Sequence, residues 1–225
     1  MSIAEKFETI ADAVYEKGKE DEWRAFWETY QGKGNAINYA YAFYGSTWTD
    51  DLYRPLKQID GIDTTFKVYA TCNGMYQGTY ITDTLIPIDI TGNGVGSNTT
   101  YMFYSATRLK KINKLIVKES NVFTSAFGYC KALTDIEFEG TIGRSISFAD
   151  CPLTVESMKS IITHLNKYDT KSYTLTVKSS TFNNLETAGF TDDDRALLGE
   201  KGVVVADNST WRTVVDDLNW NLVLA

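Results

Sequence analysis

The chain has 225 residues and a formal net charge of −7, and its composition stands out only in its aromatics, with Tyr 14 and Phe 11 against Pro 3 and His 1. That length holds one substantial core or a short repeat array without help from disulfides. The negative balance repels nucleic acid and anionic membranes, and the one cationic cluster, Arg108, Lys110, Lys111, Lys114 and Lys118, reads as the solvated edge of a repeat.

No secretory signal is expected from the opening residues, since the first eight carry acidic groups and no continuous apolar run. No stretch is long enough for membrane insertion. The compartment is left open between the cytoplasm and a phage or surface association reached by a route not encoded here. Ile3, Phe7, Ile10 and Val14, then Trp23, Phe26, Trp27 and Tyr30 after Gly18, recur at helical spacing, so residues 1–34 are expected to form an N-terminal helical cap.

From residue 35 the pattern changes. A motif centred on one aromatic recurs as Ala42-Phe43-Tyr44-Gly45, Met75-Tyr76-Gln77-Gly78, Met102-Phe103-Tyr104-Ser105, Ala126-Phe127-Gly128-Tyr129 and Phe148-Ala149-Asp150-Cys151. The anchors at 43, 76, 103, 127 and 148 are separated by 33, 27, 24 and 21 residues, shortening toward a compact repeat. Leu85, Ile112 and Ile136 each stand nine residues beyond an anchor. A short coil cannot bury its own apolar side chains, so each must stack on the next, with the anchors inward and a parallel sheet opposite. The fold class expected is therefore α/β, a short leucine-rich-repeat-like solenoid with parallel strands over 35–178 and a C-terminal capping segment over 179–225. Gly92 to Asn98 reads as an inserted loop lacking the pattern of a phosphate-binding loop.

Beyond Cys151, Thr154 is placed to cap a helix carrying Val155, Met158, Ile161, Ile162 and Leu165 on one face, and Tyr173 to Val177 alternates as a strand. Thr181 to Leu185 reads as a short turn, Asp192 to Leu198 as a last helical stretch, and Val203-Val204-Val205 as a terminal strand. The segment 211–225, from Trp211 to Ala225, is too apolar for a free tail; it covers the end of the array or makes a homo-oligomer contact. Cys130 and Cys151 fall at one place in successive motifs and read as stacked buried thiols, a disulfide between rungs being the alternative.

The units Ala126-Phe127-Gly128-Tyr129-Cys130-Lys131-Ala132-Leu133-Thr134-Asp135-Ile136 and Phe148-Ala149-Asp150-Cys151-Pro152-Leu153 resemble the AFxxCxxLxxI consensus of BspA-type leucine-rich repeats, found in bacterial surface proteins and their prophages. The likeness spans roughly Tyr41 to Val177 and weakens where Trp48 to Pro55 interrupts the first unit. It implies protein or glycan recognition on a bacterial surface or a phage-associated assembly.

No catalytic, metal or cofactor site is expected from the residues. His164 is the sole histidine and sits in an apolar helical pattern, and Asp192-Asp193-Asp194 follows Thr191 as carboxylates do at a helix start. The candidate binding surface is Tyr44, Tyr80, Tyr101, Tyr104 and Tyr129, because neighbours of inward anchors cannot all point inward; the plainer reading has these rings shield the coil turns. The expected role is a non-enzymatic binding module, with a structural subunit docking through its terminal segments as the alternative.

Overall fold

A computed structural model describes residues 65–68, 71–84, 86–92 and 99–225. The chain is mixed α/β, with two open parallel sheets among the described residues. The first sheet runs β1 (Phe66–Lys67), β2 (Pro87–Asp89), β3 (Lys111–Val117) and β4 (Asp135–Gly140), in chain order. The second runs β5 (Ile146–Phe148), β6 (Tyr173–Val177) and β7 (Trp220–Leu224). Helices α1 (Val155–His164), α2 (Ser179–Ala188), α3 (Asp192–Glu200) and α4 (Trp211–Asp217) fall between the strands of the second sheet. Every strand pairs in parallel with the next one in its sheet, so every connection crosses the core before returning.

The core is built from columns of like residues. Phe66, Ile88, Leu115 and Phe138 stand in register across the first sheet, and all four are buried. Behind them the anchor rings stack: Tyr76 on Phe103 at 5.2 Å, Phe103 on Phe127 at 5.8 Å, and Phe127 on Phe148 at 4.6 Å between centroids. Ala106, Cys130 and Cys151 follow as small buried groups three residues after their anchors. The thiols are free, and burial pushes Cys72 and Cys130 up to about 12 and raises Cys151 also.

The anchor segments are turns whose amides alternate between two uses. Met102, Tyr104 and Ala106 donate back three residues within their own turn, while Tyr101, Phe103 and Ser105 donate to the carbonyls of Thr124, Ala126 and Gly128 one layer on. The preceding turn repeats this with Gly74, Tyr76 and Gly78 on Thr100, Met102 and Tyr104. The geometry requires left-handed backbone at two places per turn, which fall on Gly74 and Gly78, then Tyr101 and Ser105, then Ser125 and Tyr129.

The Asp83–Lys111 bridge sets Thr84 beside Ile112, its amide donating to Lys111 O at 3.1 Å. Thr84 is buried because its hydroxyl is bonded, accepting from Asn113 N at 2.9 Å and donating to Ile86 O at 3.3 Å. Several expectations need correction. The stretch expected as a turn at Thr181 to Leu185 lies inside α2, whose start has no side-chain cap and whose buried face is Thr181, Phe182 and Leu185. Val203 to Val205 forms no strand, since no neighbouring strand is there to pair, and Val204 is 83% exposed. The terminal strand is β7 instead. The segment 211–225, expected to cover the end of the array or to contact a second copy, forms α4 and the end strand of the second sheet. The expected helical cap over 1–34, Phe43, Tyr44, Leu85 and the loop residues 93–98 lie outside the described residues.

In the second half the column opposite the rings changes character: α1, not a fifth strand, lies against β4. Thr154 caps α1 as expected, and Ser157 and Ser160 point their hydroxyls at β4, accepting from Ile136 N at 2.9 Å and Phe138 N at 2.8 Å. Those amides would otherwise be an open edge, so the helix finishes the first sheet. Thr191 and Asp194 form a capping box on α3, and Asp194 also meets Lys159 of α1 at 2.6 Å. Burial by itself would raise the Asp194 carboxyl, but the Lys159 and Thr191 hydrogen bonds outweigh it and the group lies below its ordinary value. No helix among the described residues is long and apolar enough to cross a membrane.

Candidate functional site

Three of the expected tyrosines come together. Tyr101 and Tyr104 meet edge to face at 5.2 Å between centroids, and Tyr104 meets Tyr129 the same way at 5.3 Å. The result is a continuous ladder of rings across two layers of turns. Its outer members are open, Tyr101 at 38% and Tyr129 at 49% exposure, while Tyr104 is half-buried between them. Edge-to-face packing aligns the positive rim of one ring with the negative face of the next, which fixes the orientation of all three.

The sequence supports this packing in two ways. Gly128 lies beneath Tyr104: a Cβ there would stand 3.0 Å from Tyr104 Cδ2, tighter than ordinary contact, so a larger residue would have to push the ring outward. Asp150 then secures the other end, its carboxylate accepting from Tyr129 N at 2.8 Å in place of the carbonyl that the next turn would supply. Desolvation first, and then Tyr129, raise the Tyr104 phenol above its ordinary value, so the hydroxyl remains a donor at neutral pH. Neither Gly128 nor Asp150 was marked from sequence as part of a surface, although the placement of both within the repeat was visible.

Two of the three ladder residues, like Ser105 and Ser125 in the same turns, have left-handed backbone. Tyr101 has φ of 58° and Tyr129 of 60°, left-handed values that cost a residue with a Cβ about 1–2 kcal/mol. The site equivalent to Tyr101 one layer earlier holds Gly74, and the site equivalent to Tyr129 holds Ser105 one layer earlier and Gly78 two layers earlier. A large ring is thus displayed at places where backbone geometry favours glycine, a pattern that occurs where strain serves a site.

The remaining candidates fall elsewhere. Tyr80 is 50% exposed but partners the Arg108 guanidinium, 5.7 Å from its ring centroid, rather than the ladder. Tyr44 lies outside the described residues. Lys131 reaches over Tyr129 at 6.0 Å, the one cation beside the ladder among the described residues.

His164 closes α1, its Nδ1–H donating to the Ser160 carbonyl at 2.7 Å. Burial holds it below the ordinary 6.5 and Lys201 adds to this, against the Ser160 bond and the carboxylates of Glu137 and Glu139. An open groove of about 300 Å³ lies between β3, β4 and α1, lined among others by Lys111, Asn113, Asp135, Glu137, Glu156 and Ser160. Its serine hydroxyls are the ones engaged by the β4 amides. Nearby, Lys114 bridges Glu137 at 3.0 Å and Glu139 at 3.2 Å, a solvent-facing arrangement of small energetic consequence. Among the described residues no group of three or more His, Cys, Asp or Glu is placed to hold a metal ion.

A second aromatic group, not marked from sequence, joins Tyr168, Tyr173 and Trp220 with centroids 5.1 to 6.3 Å apart. Trp220 is wholly buried, its indole N–H donates to Asn166 O, and Tyr168 donates to Gly143 O, so this group fastens the second sheet. Comparison with family models, curated proteins and solved structures finds no match to the chain.

Proposed function

We propose that the chain is a short leucine-rich-repeat-like solenoid of the BspA type, acting as a non-enzymatic recognition module for a protein or glycan on a bacterial surface or a phage-associated assembly. Parallel strands in chain order and one stacked column of anchor rings support the architecture. The observation that carries the role is the tyrosine ladder, with two exposed rings at left-handed residues. Tyrosine gives a large rigid contact area and a hydroxyl at low entropic cost, which suits it to recognition.

The test is a glycan and cell-surface binding array probed with the intact chain and with a Tyr101→Ala, Tyr104→Ala, Tyr129→Ala triple variant. Loss of at least about tenfold in signal is expected, as for removal of clustered aromatic anchors. Equal signal from a folded triple variant removes the ladder from the binding surface.

A further inference from the structure

The two sheets end differently, and the second end has the form of an interface. At β4 the outward amides are taken by Ser157 and Ser160. At β7, Ala225 N donates to Val177 O and Ala225 O accepts from Ser179 N, which turns the backbone of Ala225, and by alternation that of Val223 and Asn221, toward β6. The N–H and C=O groups of Leu222 and Leu224 therefore face away, and no hydrogen bond to them is present among the described residues.

This edge is held in place. Ser179 Oγ adds a second bond to Ala225 O at 2.9 Å, and Asn221 Nδ2 reaches Tyr173 O at 3.3 Å. From Trp220 to Leu224 the strand has no charge, no proline and no bulge, the features that ordinarily keep an edge from pairing. Val223 is 46% exposed on the outer face, and Leu222 and Leu224 are only partly buried on the inner one.

We infer that a second copy of this chain pairs antiparallel along β7, joining two three-stranded sheets into one of six. The register follows from access. Trp220 is wholly buried, so its backbone is out of reach, and Leu222 and Leu224 alone can pair. A two-fold axis through Val223 sets Leu222 against the partner's Leu224 and Leu224 against the partner's Leu222 as hydrogen-bonded pairs. Val223 then meets the partner's Val223 at the close, non-hydrogen-bonded position. An uncharged strand places no like charges opposite one another in this arrangement. Its open groups match themselves under the two-fold, so a second copy satisfies all of them with the same strand and needs no further segment.

One consequence rests on the recognition role proposed above. The axis stands normal to the sheet, so both tyrosine ladders look the same way, about 35 Å apart for strands spaced about 4.8 Å. Such a dimer binds a repeating surface bivalently, and binding gains from the effective concentration of the second site.

Light scattering on the full chain at micromolar concentration tests the seam without any ligand. The expected mass is twice that of one chain, halved by Val223→Lys with an unchanged circular dichroism spectrum and retained by Val223→Thr. A monomeric wild type, or a dimer that survives Val223→Lys, overturns the proposal. On the binding array, the Val223→Lys monomer should lose roughly tenfold or more in retention through lost avidity. Halved mass with undiminished retention rejects bivalence and keeps the seam; silence from every arm rejects the recognition role, and the mass alone then decides the seam.

Discussion

The layers from β1 to β4 and those from β5 to β7 fill the same core by different local means. In the first region β2, β3 and β4 are each backed by a tight turn carrying an anchor ring; in the second, helices run between the strands. The turns force left-handed backbone on Tyr101, Ser105, Ser125 and Tyr129, whereas the second region has one such non-glycine residue, Asn219 between α4 and β7. Asparagine tolerates that conformation better than most residues. The comparison teaches that a stacked core constrains which side chains point inward much more strongly than it constrains the secondary structure that brings them there. It also shows where strain is kept: in the turn region, at the residues that present the tyrosines.

The largest test of this comparison is at the junction. Phe127 stacks on Phe103 in the first region and on Phe148 of β5, so it belongs to both. Phe127→Ala should cost about 4 kcal/mol in chemical denaturation, as for a large aromatic removed from a close-packed core. Hydrogen exchange should quicken in β3, β4 and β6 together if the regions form one cooperative unit. Acceleration confined to β3 and β4 would show instead that the helical half stands alone.

A smaller effect probes how the first sheet ends. Ser157 Oγ accepts from Ile136 N and donates to Thr134 O at 3.1 Å, and Ser157 itself is buried. Ser157→Ala leaves a buried amide without a partner, which costs about 2 kcal/mol. Glu156→Ala on the exposed neighbouring residue serves as the control, and equal effects from the two would remove the serine from its edge-closing role.

The anchors at 76, 103, 127 and 148 were legible because an aromatic residue recurring at shrinking intervals has few explanations other than stacking. The α1 and α3 starts were legible too, since Thr154 and Thr191 carry their caps in their own side chains. What stayed hidden depended on tertiary partners. Ser-Ser-Thr-Phe-Asn-Asn has weak helical propensity and Lys178 contributes no side-chain cap, so α2 exists through the packing of Phe182 and Leu185. Val203 to Val205 has strand propensity without a neighbour, and Trp220 to Leu224 has a neighbour, β6, that only the three-dimensional path reveals. For the ladder, tyrosines beside anchors were visible, but their mutual contact and the left-handed backbone at Tyr101 and Tyr129 were not.

The smallest effect bears most directly on that strain. Gly78 and Tyr129 occupy equivalent left-handed positions, with φ of 65° and 60°. A Cβ at Gly78 would meet nothing within 4 Å, so Gly78→Ala isolates the backbone term and should destabilise by about 1 kcal/mol. At Tyr129 the usual ranking should invert: Tyr129→Gly and Tyr129→Ala lose the same contact with Tyr104, but only alanine keeps the strained conformation. The glycine variant should therefore be more stable than the alanine one by about 0.5–1 kcal/mol, since the greater freedom of glycine in the unfolded chain offsets part of the relief. Urea midpoints for the three variants measure this. An alanine variant at least as stable as the glycine variant would mean that the turn relaxes around its side chain, and the tyrosines would then be held at no conformational cost.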